Sequence, residues 1–184
     1  MQIRRFLRHA IAKQTPVRFT RRGATLADLA GYPLALGRQA GLIRDVTDFT
    51  LDGLSILPLA DLREVRTTSA DLFADRVLRD RKALRHLTEP STTVPLDGWS
   101  GAFAALAAQG RLVIVESQRG KDDRFDVGCV VGITAGAVGL RCFTADAHWE
   151  SAPRVVPFAG ITRVCFDAPY LNAFRPYLGH LPAS

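Results

Sequence analysis

What this 184-residue sequence lacks already removes several kinds of protein. No run of 18 or more apolar residues occurs, so nothing in it reads as a membrane-crossing helix. The first residues are basic, but no continuous apolar core follows them, and no secretory leader is expected. The three cysteines are too few and too scattered for a disulfide framework, and reduced thiols in a cytoplasm are the expectation. There is no Cys-x-x-Cys pair, no Gly-x-Ser-x-Gly elbow and no glycine loop ending in Lys-Ser/Thr. Those absences leave out the common short signatures of zinc binding, serine hydrolysis and nucleotide cradling.

Histidine is also scarce. His9 and His180 lie near the ends, His86 falls on a charged helix face, and only His148, beside Trp149, sits inside a patterned region. No catalytic residue, cofactor or metal is therefore expected. The cysteines allow one metal arrangement. A hairpin centred on Ala135-Gly136 sets Cys129 opposite Cys142, and Cys165 and His148 complete four soft ligands. Without a Cys-x-x-Cys pair, packing of the thiols as small buried hydrophobes is favoured.

Acidic residues are missing from one place. Residues 1–27 contain seven Arg and Lys and no acid, whereas the whole chain is only +6, so the rest is near neutral. The basic character belongs to an arm. Within it, residues 3–13 place Ile3, Phe6, Leu7, Ala10 and Ile11 at helical spacing between Arg, His and Lys. Pro16 stops that helix. In "PVRFTRR" Val17 and Phe19 alternate with Arg18 and Thr20, so 17–21 reads as a strand.

Apolar residues make up 47% and charged residues 23%, the balance of a chain that folds around a core. From Gly31 the period is two, and the pattern occurs twice. A shift of 97 residues puts Gly31 on Gly128, Leu34 on Val131, Arg44 on Arg141 and Thr47 on Thr144. A shift of 99 puts Pro58 on Pro157, Leu62 on Ile161, Val65 on Val164 and Leu72 on Leu171. The same order of matches at a near-constant shift points to duplication of one module. Each copy reads as a leading helix, five short strands and a closing helix. Residues 1–87 form the first module, with its basic N-terminal helix and Arg-rich closing helix. Residues 88–99 are a linker, 100–178 the second module and 179–184 a tail.

A leading helix with five short strands suggests a bent sheet that closes on itself. The expected fold class is α+β, mainly β: two Sm-like or SH3-like small barrels in tandem, each flanked by helices. Leu34, Leu36, Ile43, Val65, Val131, Ile133, Leu140, Phe158, Ile161 and Val164 are the expected core. Thr68 or Ser69 should cap the first closing helix and Asp167 the second.

The glycine-led strand pairs, Asp52-Gly53 before a strand, and the closing Ile161-Thr162-Arg163-Val164-x-Phe166 with Tyr170-Leu171 carry a family resemblance. The chain resembles an uncharacterised bacterial family of tandem Sm-like/SH3-like small β-barrel modules, over roughly residues 28–178. The resemblance implies architecture and brings no activity.

Two functions remain open. One is a non-enzymatic cytoplasmic binding or scaffold protein, with an unknown protein partner or self-association through barrel edges. The other is nucleic-acid or nucleotide binding through the arm and the Arg-rich helix face, with Arg4, Arg5, Arg8, Arg18, Arg21, Arg22, Arg79 and Lys82 as phosphate contacts. "DFTLDG", 48–53, with "RFTRR", 18–22, also matches part of the cyclic-dinucleotide pattern of PilZ domains. No exposed aromatic-basic platform is legible.

Overall fold

The computed structural model describes residues 2–22, 27–88, 93–117 and 124–180. The chain divides into two compact units, Met1–Thr92 and Thr93–Ser184.

The first unit opens with helix α1, Gln2–Lys13, and strand β1, Val17–Arg21, both where the sequence pattern puts them. Strands β2, Leu29–Leu36, β3, Ala40–Thr47, and β4, Thr50–Pro58, follow as successive hairpins. A 3-10 turn at Leu59–Asp61 leads into β5, Leu62–Arg66, and helix α2, Ser69–Asp80, follows. The hydrogen-bonded order is β5-β1-β2-β3-β4, with every pair antiparallel.

The second unit repeats this plan. Helix α3, Trp99–Ala108, precedes β6, Leu112–Ser117, β7, Arg124–Ile133, β8, Ala137–Cys142, and β9, Arg154–Pro157. A 3-10 turn at Phe158–Gly160, strand β10, Ile161–Phe166, and helix α4, Pro169–Phe174, complete it. Its order is β10-β6-β7-β8-β9, the first unit's order element for element.

The two Sm-like/SH3-like barrels expected from the pattern do not form. Among the described residues the ten strands, five in each unit, lie in open antiparallel sheet, and within neither order do the first and last strands meet. Among the described residues the fold is mainly β with four α-helices. Period-two patterning fixes which residues face the core and which strands turn into which. Closure depends instead on accumulated twist, tilt and stagger, which alternation does not encode.

Bulges show what alternation leaves out. The register of β2 with β3 shifts between Pro33 and Ala35, and that of β7 with β8 between Val130 and Gly132. The extra residues are Leu34 and Val131, which the 97-residue shift superposes. An unpaired bulge residue turns partly out of the sheet, so both are half-buried rather than core. Leu36, Val65, Ile133 and Phe158 are half-buried too, while Ile43, Leu140, Ile161 and Val164 are buried as expected. Beyond the second bulge, Cys129 faces Arg141 and Cys142 faces Gly128. Cross-strand partners share a face, so the two thiols point to opposite faces and are not the cross-strand pair expected.

In the first core, Leu7 and Ala10 of α1 pack with Val17, Phe19, Ile43, Leu57 and Leu62. Phe6, one of the apolar residues at helical spacing, is 37% exposed, and Ile3 is the residue that packs alongside. In the second core, Leu112, Ile114, Cys165, Ala168 and Leu171 cluster with Phe143. No helix among the described residues is long and apolar enough to cross a membrane.

Candidate nucleic-acid interface

Helix α2 is set by its cap. Thr68, in extended backbone, accepts from the Asp71 N–H through its hydroxyl, and the Asp71 carboxylate accepts from the Thr68 N–H. This reciprocal box satisfies two backbone donors that a helix start leaves open. Asp71 also receives the Arg18 guanidinium at 2.7 Å. Burial pushes the Asp71 carboxyl up, but the Thr68 hydroxyl, the Thr68 N–H and Arg18 outweigh it and hold the group below the usual carboxylate range.

With Asp71 and Leu78 turned inward, the helical period turns Leu72, Phe73 and Arg76 outward. The counterpart α4 starts after Ala168, so the caps align at a shift of 100 rather than 99. Buried Leu171 therefore corresponds to Asp71, not Leu72. One residue is about 100° of helix rotation, enough to move a side chain from core to water.

The outward face meets the β3–β4 turn. Asp48 and Phe49 there have φ of 47° and 61°, in the left-handed region, which makes the reversal tight and projects the Phe49 ring outward. Phe49 lies edge-to-face on Phe73, with centroids 5.8 Å apart. The Arg76 guanidinium stands 5.2 Å from the Phe73 ring centroid, and Arg81 donates to the Phe49 carbonyl at 3.4 Å. Phe49 is 43% exposed, Phe73 47% and Leu72 54%. Two water-facing rings, a leucine and two guanidiniums thus share one surface. This aromatic-basic platform is not legible in the sequence pattern, because it joins residues 24 positions apart. Its legible trace was the Thr68 cap, from which the helical phase of Phe73 follows.

The residues named as phosphate contacts divide by what holds them. Arg5, Arg8, Arg22 and Lys82 are exposed, Lys82 at a φ of 56° just past α2. Arg4 is half-buried and donates to the Arg38 carbonyl. Arg18 is committed to Asp71, and Arg21, 5% exposed, reaches the Ala27 carbonyl. Arg79 pairs with Asp75 at 2.8 Å and also reaches the Gln14 carbonyl, which ties α2 to the end of α1. Asp75 accepts from the Tyr32 hydroxyl as well, and burial with that bond pushes the Tyr32 phenol well above its ordinary range. Asp71 and Asp75 are thereby consumed on the inner side. Asp80 remains on the outer side against Arg76, Arg81, Lys82 and Arg85.

The first unit holds sixteen Arg and Lys against ten Asp and Glu, and the second holds eight of each. All of the chain's net charge therefore belongs to the unit with the platform. "DFTLDG" folds as the β3–β4 turn and the start of β4, where Gly53 N–H donates to the Asp52 carboxylate; Arg18 of the accompanying pattern is held by Asp71.

In the second unit, His148 faces Asp146 in an exposed contact of 3.2 Å. None of the three cysteines is in a disulfide, and no cluster of three or more His, Cys, Asp or Glu suited to a metal occurs among the described residues. Asp167, expected to cap α4, instead pairs with Arg111 at 2.7 Å and has a φ of 55°; the cap residue is Ala168, whose side chain makes no bond.

The chain matches no protein-family model, no curated protein and no solved structure.

Proposed function

We propose that this is a non-enzymatic binding protein of the cytoplasm whose first unit holds single-stranded nucleic acid. The observation that carries the reading is the Phe49–Phe73 pair, water-facing, with Arg76 on the Phe73 ring, in the unit that bears all the net positive charge. Exposed rings offer stacking faces to unpaired bases, and guanidiniums and ammonium groups take the phosphates without sequence preference. Arg81, Lys82, Arg5, Arg8 and Arg22 supply that second part, since each is exposed.

The test is fluorescence anisotropy with a labelled oligouridylate and an oligothymidylate at 50 and 200 mM salt. Binding should weaken steeply with salt, as counterion release requires. Phe73→Ala should weaken it by about 5-fold to 100-fold, the range for one lost stacking partner. No binding at low salt would remove the reading.

Leu72 supports a second reading of the same patch. An apolar side chain exposed beside two rings is also what a protein partner covers. Association with such a partner should change little with salt and should be lost on Leu72→Asp.

A further inference from the structure

The second unit carries a cleft of about 370 Å³ unconnected with the nucleic-acid reading. Its walls are apolar: Leu112, Val130, Leu178 and the Trp149 indole. Two cations, Arg111 and Arg175, line it as well. The volume falls within the range of small-molecule sites, and a mainly apolar lining with few polar groups is their usual composition.

The walls are held from several directions. Trp149 donates its indole N–H to the Gly179 carbonyl at 3.1 Å, and its ring lies edge-to-face on Phe143 at 5.7 Å. With the indole's polar edge satisfied, its faces are left for apolar contact. Gly110, at a φ of 60°, ends α3 in a left-handed turn and accepts from Arg175 at 3.2 Å. That bond ties Arg175 to the cleft wall across 65 residues of sequence.

The two cations differ in what neutralises them. Arg111 is answered by Asp167 at 2.7 Å. Arg175 has no carboxylate partner among the described residues; a backbone carbonyl is its hydrogen-bond acceptor. Among the described residues the cleft therefore carries one uncompensated positive charge beside an aromatic and aliphatic wall. Cys129, also on the wall, has its thiol pushed up by burial, so it is a neutral lining group.

We infer that this cleft binds a small aromatic carboxylate, its ring against Trp149, Leu112 and Leu178 and its carboxylate on Arg175. A guanidinium presents parallel donors that match a carboxylate, and an anion in a partly apolar cleft gains more from it than in open water. The single compensating charge calls for a monoanion. A polyphosphate would bring more charge than the cleft answers.

The test uses the full chain with Trp99→Phe, which leaves Trp149 as the only tryptophan, and follows its fluorescence against benzoate and phenylacetate. Benzyl alcohol serves as the neutral probe and inorganic phosphate as the anion without a ring. Saturable quenching by the carboxylates, at least 10-fold tighter than by benzyl alcohol or phosphate, is expected. Arg175→Ala should weaken the carboxylates at least 10-fold and leave benzyl alcohol unchanged, while Arg175→Lys should retain part of the binding. Arg175 is exposed, so the fold should persist, and circular dichroism of each variant checks it. Equal binding of neutral and charged probes, no saturation, or an Arg175→Ala variant that binds the carboxylates normally would overturn the assignment.

Discussion

Arg44 and Arg141 hold the same place in the two units. Each lies on the second strand of the glycine-led hairpin, is 4% exposed, and donates to backbone carbonyls further along the chain. Arg44 reaches Asp52 and Leu87, and Arg141 reaches Glu150 and Ser151. In each unit one buried guanidinium thus answers two carbonyls at once. Arg141→Met should leave the Glu150 and Ser151 carbonyls without that donor. A loss of about 2 kcal/mol or more is expected, the scale for bonds to a charged group, read as a shift of the urea midpoint. An unchanged midpoint would show the bonds to be incidental.

The glycines packed against the backbone carbonyls of these arginines tolerate no side chain. A Cβ on Gly31 would stand 2.2 Å from the Arg44 carbonyl oxygen, and one on Gly128 2.1 Å from that of Arg141. Backbone, not a movable side chain, is the obstacle. Gly31→Ala and Gly128→Ala should each destabilise by about 3 kcal/mol, at the upper end of overpacking costs. Gly132 and Gly136 meet nothing within 4 Å, and alanine there should leave the melting temperature nearly unchanged.

Helix α1 anchors through Leu7 rather than Phe6. Leu7 is 1% exposed within the first core and Phe6 is 37% exposed. Leu7→Ala should cost about 2–5 kcal/mol, while Phe6→Ala should cost under about 1 kcal/mol. Deleting residues 1–22 removes both the helix and β1, which pairs on both sides with β2 and β5, so thermal stability should fall markedly. Equal effects of the two single substitutions would contradict the α1 packing.

Asp71 makes stability depend on acid. Its carboxyl is held below the usual range in the folded chain, so the native state binds that proton less tightly than the unfolded chain does. The associated stability is complete above the unfolded pKa of about 4 and is lost as pH falls through the lower folded value. Asp71→Asn should cost about 1 kcal/mol or more at pH 7 through the weakened cap and the loss of the Arg18 pair. The gap between wild type and variant should narrow by pH 3 in urea titrations. A gap that stays constant across that window would exclude Asp71 as the group responsible.

The thiols should be quiet in the native protein. Burial, then the nearby Asp126 carboxylate, pushes the Cys142 thiol up to about 11, and burial raises Cys129. Since the thiolate is the reactive form, both should react slowly with a disulfide reagent at pH 8 and rapidly once urea unfolds the chain. Fast reaction of the native protein would refute the assigned environments.

Much of this chain was readable along its length. The α1 helix, the β1 strand within "PVRFTRR" and the repeated hairpins follow from apolar spacing, proline and glycine, because those signals act on neighbouring residues. Among the candidate binding residues, the exposed Arg5, Arg8, Arg22 and Lys82 were legible as charge. The commitment of Arg18 to Asp71 was not, since it depends on which face of α2 meets the sheet.

By itself, then, the sequence determined the order of elements, their duplication and the sign of the charge on the first unit. Only the tertiary structure decided that the sheets stay open, that one-residue bulges at Leu34 and Val131 set the register, and that Phe49 and Phe73 meet in water. The physical reason is one of range. Periodicity constrains each side chain relative to its neighbours within a turn or a strand. Closure, bulge placement and ring contact are fixed by twist, by a single inserted residue and by a 100° helical phase, summed over distant segments.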